Sequence, residues 1–313
     1  MLVGDFLEVR PMAAVITVDH LQKTYGRVVA VDDLSFSVED GEIFGILGPN
    51  GAGKTTTVEC IQGLRDADGG TIRVLGLNPM TEAAELRQRI GSQLQDAGLP
   101  GRLRVAESLE LFAAFARNPV DCDELLSRWR LQEQRNQAFD TLSGGQRQRL
   151  FIALAFVNAP ELVFLDELTQ GLDPQARRAT WDLVREIRRD GTTVVLVTHF
   201  MDEAEHLCDR VAVVDDGRVV ALDTPQGLID GLGLRSVVRF TTQEPDLGWV
   251  ERLDVVESLT RRGDAVEVRG TGAVLAIVAS ELVAHGIVPV DLRVDRPTVE
   301  DAFLALTGRT IRG

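Results

Sequence analysis

The chain has 313 residues, twice the roughly 150 of a typical single domain, so two domains are expected and a sizeable core needs no staples. Hydrophobic residues at 44% and charged residues at 26% exclude a disordered or fibrous chain. A formal net charge of −15 argues against a general affinity for nucleic-acid backbones, so no nucleic-acid partner is expected.

Residues 1–14 read as a loose leader, with Met12 a second candidate start. This N-terminus carries Asp5 and Glu8 and no basic cluster before an apolar run, so it is not a secretory signal. Val15–Val18 reads as a short strand, and Val28–Val38 alternates at Val29, Val31, Leu34, Phe36 and Val38, with a break at Asp32-Asp33. Glu42–Leu47 is a compact apolar run suited to a buried strand, and Thr55–Gly63 follows as a helix. Residues 99–140 carry helical patterns at Glu107–Ala116 and Asp123–Leu131 and no strand signal. With the helix Gln146–Val157 they predict a helical subdomain at about 99–160.

Leu150–Leu165, the most apolar stretch, is interrupted by Asn158, Pro160 and Glu161 and is too broken to span a bilayer. The chain is expected to be soluble by itself. Leu162–Leu165 and Thr193–Val197 are further strands, separated by the helix Ala176–Arg189, and this alternation implies a largely parallel sheet. Val211–Val214, the Asp215-Asp216-Gly217 turn and Val219–Leu222 predict a hairpin. Composition changes across 224–233, and a second domain is expected over 235–313. It should hold a strand at Val237–Thr241, a hairpin around Arg262-Gly263-Asp264, a helix Val274–Ala284, a strand Ile287–Val294 and a closing helix Thr298–Leu306. Cys60, Cys122 and Cys208 are widely spaced without a C-x-x-C pattern. That excludes a disulfide framework and a zinc site and fits a reducing cytoplasm.

Three strings carry chemistry. Gly48-Pro49-Asn50-Gly51-Ala52-Gly53-Lys54-Thr55, followed by Thr56, leaves an apolar strand and enters a helix, as a phosphate-binding loop must. Its glycines let backbone N–H groups turn inward around phosphates, and the helix N-terminus adds its positive end. Lys54, one of only two lysines, would reach the β/γ-phosphates, and the Thr55 hydroxyl would coordinate Mg²⁺. Leu162-Val163-Phe164-Leu165-Asp166-Glu167 is an apolar strand ending in two carboxylates. Asp166 would hold the Mg²⁺ shell and Glu167 would polarise the attacking water. Leu142-Ser143-Gly144-Gly145-Gln146 can present a hydroxyl and unobstructed N–H groups to an anion at a helix start, or be an ordinary serine cap. Ser143 lies 23 residues before Asp166.

Together these strings resemble the ATP-binding cassette ATPases. The resemblance covers about residues 15–230 and implies an α/β P-loop core with a helical subdomain, followed by a small α+β domain. It implies ATP and Mg²⁺ as ligands. It also implies that Tyr25 stacks on adenine, that Gln95 (with Gln93 a nearby competitor) senses Mg²⁺ and abuts a membrane partner, and that Gly171-Leu172-Asp173 communicates between nucleotide sites. His199, 32 residues after Glu167, matches the histidine that contacts the γ-phosphate. One departure stands out: the family usually has a proline after the catalytic glutamate and a small hydroxyl residue two places later, where this chain has Leu168 and Gln170. Because proline fixes the backbone leaving the strand, an altered rate is expected rather than lost activity.

Asp295–Arg309 resembles the ending of the daunorubicin-resistance ATPases, which work with ABC-2-type permeases. The resemblance therefore implies two copies, expected to form a homodimer, clasping two ATP molecules at the cytoplasmic face of the cell membrane and driving a separate permease. Ser143 and Gly145 of one copy would cover ATP held by the other. An exporter of a drug-like or other hydrophobic compound is the expected role. An importer subunit is the alternative, and a non-transport ATPase acting on ribosome or DNA a more remote one.

Overall fold

The computed structural model describes residues 14–93 and 98–308. In chain order the first part comprises β1 (Ala14–Tyr25), β2 (Val28–Glu39), β3 (Ile43–Leu47), α1 (Lys54–Ile61), β4 (Gly69–Val74), α2 (Ala83–Arg89) and β5 (Ile90–Gln93). It continues through α3 (Val105–Ala113), α4 (Cys122–Arg128), α5 (Gly144–Ala155), β6 (Leu162–Asp166), α6 (Pro174–Arg189), β7 (Thr193–Thr198), α7 (Met201–Leu207), β8 (Arg210–Asp215) and β9 (Arg218–Asp223). The chain divides into two compact units, the first running to Thr224 and the second starting at Pro225. Among the described residues no helix is long and apolar enough to cross a membrane.

The first unit holds two sheets. One is antiparallel, ordered β2-β1-β4; the other is ordered β5-β6-β7-β3-β8-β9, parallel except for the β8–β9 hairpin. They share one core, in which Ile16, Val18, Leu34 and Phe36 pack with Phe44, Ile46, Phe164 and Val197. The Phe36 and Phe44 rings stack with centroids 5.2 Å apart. β3, β6 and β7 are buried at every position, as expected for central parallel strands covered on both faces.

The β2 alternation is real but changes phase. Asp33 takes a positive φ of 61° and Asp32 N–H turns aside to bond Gly217 O, so the buried phase steps from Val31 to Leu34, Phe36 and Val38; Val29, nearer the strand's start, is exposed. The helical patterns of residues 99–140 appear as α3 and α4, each ending about three residues before the pattern does. Arg130, at φ 55°, breaks the second.

The second unit comprises α8 (Pro225–Gly231), β10 (Ser236–Thr241), β11 (Val256–Arg262), β12 (Ala265–Gly270), α9 (Val274–Ala284), β13 (Val290–Asp295) and α10 (Val299–Thr307). Its antiparallel sheet is ordered β11-β12-β10-β13, and Val238, Phe240, Val266 and Val268 pack against Val274, Val278 and Leu282 of α9. The last strand starts at Val290 rather than Ile287. Gly286 (φ 73°) ends α9, and Ile287 N–H bonds back to Leu282 O, so Ile287 belongs to the helix cap.

Candidate active site

The parallel sheet brings three strand ends to one edge. Leu47 of β3 lies beside Thr198 of β7, and Val197 of β7 beside Asp166 of β6. The loop 48–53, His199 and the Asp166-Glu167 pair therefore emerge together at the carboxyl ends of the strands, where open α/β sheets gather their ligands.

The loop is held at its root and open at its rim. Ala52 N–H bonds Pro49 O, and Ala52 O accepts Gly217 N–H at 3.0 Å, while Asn50 and Gly51 are exposed. A side chain at Gly48 would come within 2.2 Å of Val214 O, and one at Gly53 (φ 97°) within 2.2 Å of Ala30 O, so both positions demand glycine. α1 begins at Lys54 with neither a side-chain cap nor an acidic residue in its first turn. Its leading N–H groups, on Lys54, Thr55 and Thr56, thus form an anion-seeking end. Lys54 is only 6% exposed, and its ammonium donates to Gly48 O at 2.7 Å and Pro49 O at 3.0 Å. Burial pushes its pKa down, and the Glu167 and Asp166 carboxylates oppose that shift.

Asp166 and Glu167 are 6% and 8% exposed. Glu167 adopts φ 48°, held there by its N–H bond to Val197 O at 2.8 Å, and its Oε1 lies 2.9 Å from His199 Nδ1. Phe200 packs against the imidazole with centroids 4.1 Å apart. The structure thus unites Lys54, Asp166, Glu167 and His199. Hydroxyl and carboxylate oxygens from Thr55 and Asp166 are hard donors suited to Mg²⁺, which takes one or two protein oxygens and completes its shell with phosphate and water. Among the described residues no group of three or more His, Cys, Asp or Glu side chains is placed to hold a metal by itself.

Tyr25 ends β1, 39% exposed, with the Arg65 guanidinium 5.2 Å and the Lys23 ammonium 5.6 Å from its ring. Both cations are anchored, Arg65 to Glu59 and Lys23 to Asp68. Gln93 closes β5 opposite Leu165, and Gln95 lies outside the described residues.

The five-residue string forms a second locus. Leu142 is buried, and Ser143 caps α5 in a reciprocal box: Gln146 N–H donates to Ser143 Oγ at 3.3 Å, and Ser143 N–H to Gln146 Oε1 at 2.8 Å. Ser143, Gly144 and Gly145 line a cleft of about 620 Å³ with Gly171, Leu172 and Asp173, and none of the residues 48–55 lines it. Asp173 caps α6, its Oδ1 accepting from Gln175 and Ala176 N–H at 2.9 Å each. Two long helices, α5 and α6, therefore point their N-termini at this cleft.

Comparison with known proteins agrees with this geometry. The family model described as ABC transporter matches residues 31–170. A Nod factor export ATP-binding protein I of Ralstonia nicotianae is 36% identical over 307 residues, covering 95% of each chain. This chain belongs to the ATP-binding cassette family of transporter ATPases. Daunorubicin resistance ATP-binding protein DrrA3 of Streptomyces coeruleorubidus is 38% identical to the ATPase over 302 residues, covering 94% of this chain and 96% of its own. Linearmycin resistance ATP-binding protein LnrL of Bacillus subtilis is 34% identical over 306 residues, covering 94% and 98%. A solved ATP-binding subunit of an ABC transporter superposes with a TM-score of 0.63 at 29% identity, covering 70% of the ATPase and 94% of itself.

The residues that sequence reasoning missed are Thr169, Thr198 and Glu203. Glu203 is completely buried on α7, where burial pushes its carboxyl pKa up against the pull of two hydroxyl hydrogen bonds. A signal was present. Glu203, Ala204 and Leu207 share one helical face, so the acid faces inward with the apolar residues.

Proposed function

We propose that the ATPase is the energising subunit of an exporter, working as a pair of chains at the cytoplasmic face of the cell membrane. In this reading it drives a separate ABC-2-type permease that moves a drug-like or other hydrophobic compound. The observation that carries the chemistry is the Glu167–His199 contact of 2.9 Å beside Lys54 and Asp166. ATP lies with its adenine on Tyr25 and its phosphates over Gly48, Pro49, Asn50, Gly51, Ala52 and Gly53, reached by Lys54 and the Thr55 and Thr56 amides. Thr55 and Asp166, with Gln95 as the family resemblance implies, would hold Mg²⁺, which would supply positive charge to offset that of the phosphates. Glu167 takes a proton from water as the water oxygen bonds to the γ-phosphorus, and the bond to the bridging oxygen breaks with its electron pair leaving on ADP. His199 orients Glu167 and faces the γ-phosphate. Leu142–Gln146 and Asp173 of the second copy close the site.

Pairing is supported by a likeness to an ATP-binding cassette solved as a dimer bound to ADP and Pi, with a TM-score of 0.59 at 27% identity, covering 67% of this chain and 98% of that one. Export is supported by relatives named for export or resistance that match along more than nine-tenths of both chains, through the second unit. Permease docking is supported by Leu64, Phe112 and Phe115, exposed at 53%, 41% and 76%; Leu64 and Phe112 line a cleft with Ile90 and Ser92 of β5.

The test is to recover tagged Glu167→Gln chain from its own membranes in mild detergent with ATP and Mg²⁺. The expected result is an ATP-loaded dimer that carries a small multi-span protein without an ATPase of its own. A lone monomer under those conditions, or recovery with ribosomes or DNA and no membrane protein, overturns the reading.

A further inference from the structure

Leu168 stands directly after Glu167, so no pyrrolidine ring fixes the backbone as it leaves β6. The segment is nonetheless held: Leu168 and Thr169 are buried, and Leu172 N–H bonds Thr169 O at 3.2 Å. The constraint comes from α7. The Thr169 hydroxyl donates to Glu203 Oε1, and the Thr198 hydroxyl donates to Glu203 Oε2 at 2.5 Å. Thr169 lies two residues past Glu167, and Thr198 immediately precedes His199. The Thr198 hydroxyl also accepts Phe200 N–H at 2.9 Å, which fixes the backbone on the far side of His199.

One fully buried carboxylate thus ties together the two segments that carry the Glu167–His199 pair. A buried acid is costly to desolvate, and a packed apolar residue would fill the same space more cheaply. What the acid adds is direction: two acceptor oxygens that take one hydroxyl from each segment.

We propose that Glu203 is a positioning residue for hydrolysis. It sets the separation and orientation of Glu167 and His199 through Thr169 and Thr198 and supplies the constraint that Leu168 does not. This rests on the reading of Glu167 and His199 as the groups that handle the attacking water.

The experiment is steady-state ATP hydrolysis, with ATP binding and thermal melting measured alongside, on full-length chain carrying Glu203→Gln, Thr169→Val, Thr198→Val, Thr169→Ser or Thr198→Ser. The valine variants exchange a hydroxyl for a methyl of similar shape, and the serine variants keep the hydroxyl. The expected result is that Glu203→Gln and both valine variants lower kcat by about tenfold with KM for ATP within about twofold, while both serine variants stay close to the parent. If Glu203→Gln fails to fold, the valine variants decide. Unchanged kcat in both overturns the proposal. So does a fall in kcat that tracks a rise in KM and a loss of melting temperature, and so does failure of the valine variants to fold while the serine variants fold normally. Glu167→Gln, run in parallel, separates the two levels. If it keeps full turnover, the reading of the site itself fails; if it is inactive while Thr169→Val and Thr198→Val match the parent, only the positioning role fails.

Discussion

The phosphate loop and the helix start at Ser143 both rely on glycine, for opposite reasons. Gly48 and Gly53 have no room: a Cβ at either would lie 2.2 Å from a backbone oxygen of the same chain. Gly144 and Gly145 have room: a Cβ there would meet only Leu172 at 3.5 Å and Ala176 at 3.7 Å, ordinary van der Waals contacts, and neither residue has a positive φ. The first pair is demanded by this chain's own fold. The second pair is not, and the proposed pairing of two chains would supply a reason for keeping those positions bare. A surface whose hydrogen bonds are already closed by a capping box, yet which leaves a cleft open in front of two helix N-termini, fits one half of a site completed by another copy.

Two substitutions test that contrast. Gly53→Ala should do the greater damage, because it adds a clash with Ala30 O to a φ of 97° that an L side chain rarely adopts. The expected cost is about 3 kcal/mol of stability together with loss of nucleotide binding, read by chemical denaturation and nucleotide titration. Gly145→Asp should leave the fold intact. A carboxylate in the first turn of α5 is favourable to the helix by roughly 0.3–1 kcal/mol, so melting should hold or rise slightly. Hydrolysis should nevertheless fall by about 100-fold, with ATP binding to the isolated chain unchanged, because in the proposed pair the new charge would face phosphate held by the partner. Equal loss of folding in both variants would erase the distinction.

The contrast was only partly legible beforehand. β3, the loop and α1 form one local string whose residue types admit little else, and Asp166-Glu167 at the end of an apolar strand is similarly local. β4 opens on Gly69-Gly70, which carries no strand signal; Gly70 (φ 86°) gives room for His20 O, which would lie 2.4 Å from a Cβ there. β5 is four residues long and contains Gly91, which is bare because Ala155 O lies 2.2 Å from where its Cβ would be. Both cases depend on a neighbour distant in sequence, which composition and period do not reveal. α7 is seven residues with Asp202, Glu203 and Glu205, which reads as a solvated turn until the inward face of Glu203 is considered. The missing proline after Glu167 was legible, but its substitute was not. The hydrogen bonds that hold that segment join residues 34 and 5 positions apart on different elements.

The smallest expected effect separates the two loci by pH. Burial lowers the Lys54 pKa from its ordinary 10.5 in the nucleotide-free protein. In the window between the depressed folded value and 10.5 the unfolded chain binds more protons than the folded one, so stability rises as pH rises through that window. Below the window Lys54 is charged in both states, and the desolvation cost is carried in full. Lys54→Met should remove this contribution and flatten the alkaline limb of the stability–pH curve. Gly145→Asp should leave that limb as it is, since the cleft it changes does not include Lys54. Bound phosphate reverses the argument, because it favours the ammonium and raises its pKa. ATP affinity should therefore weaken as pH climbs through the same window, and the ATP-induced gain in melting temperature should shrink with it. An alkaline limb unchanged by Lys54→Met would mean that the ammonium is already solvated in the free protein, and that the cluster at the sheet edge is as open as the cleft at Ser143.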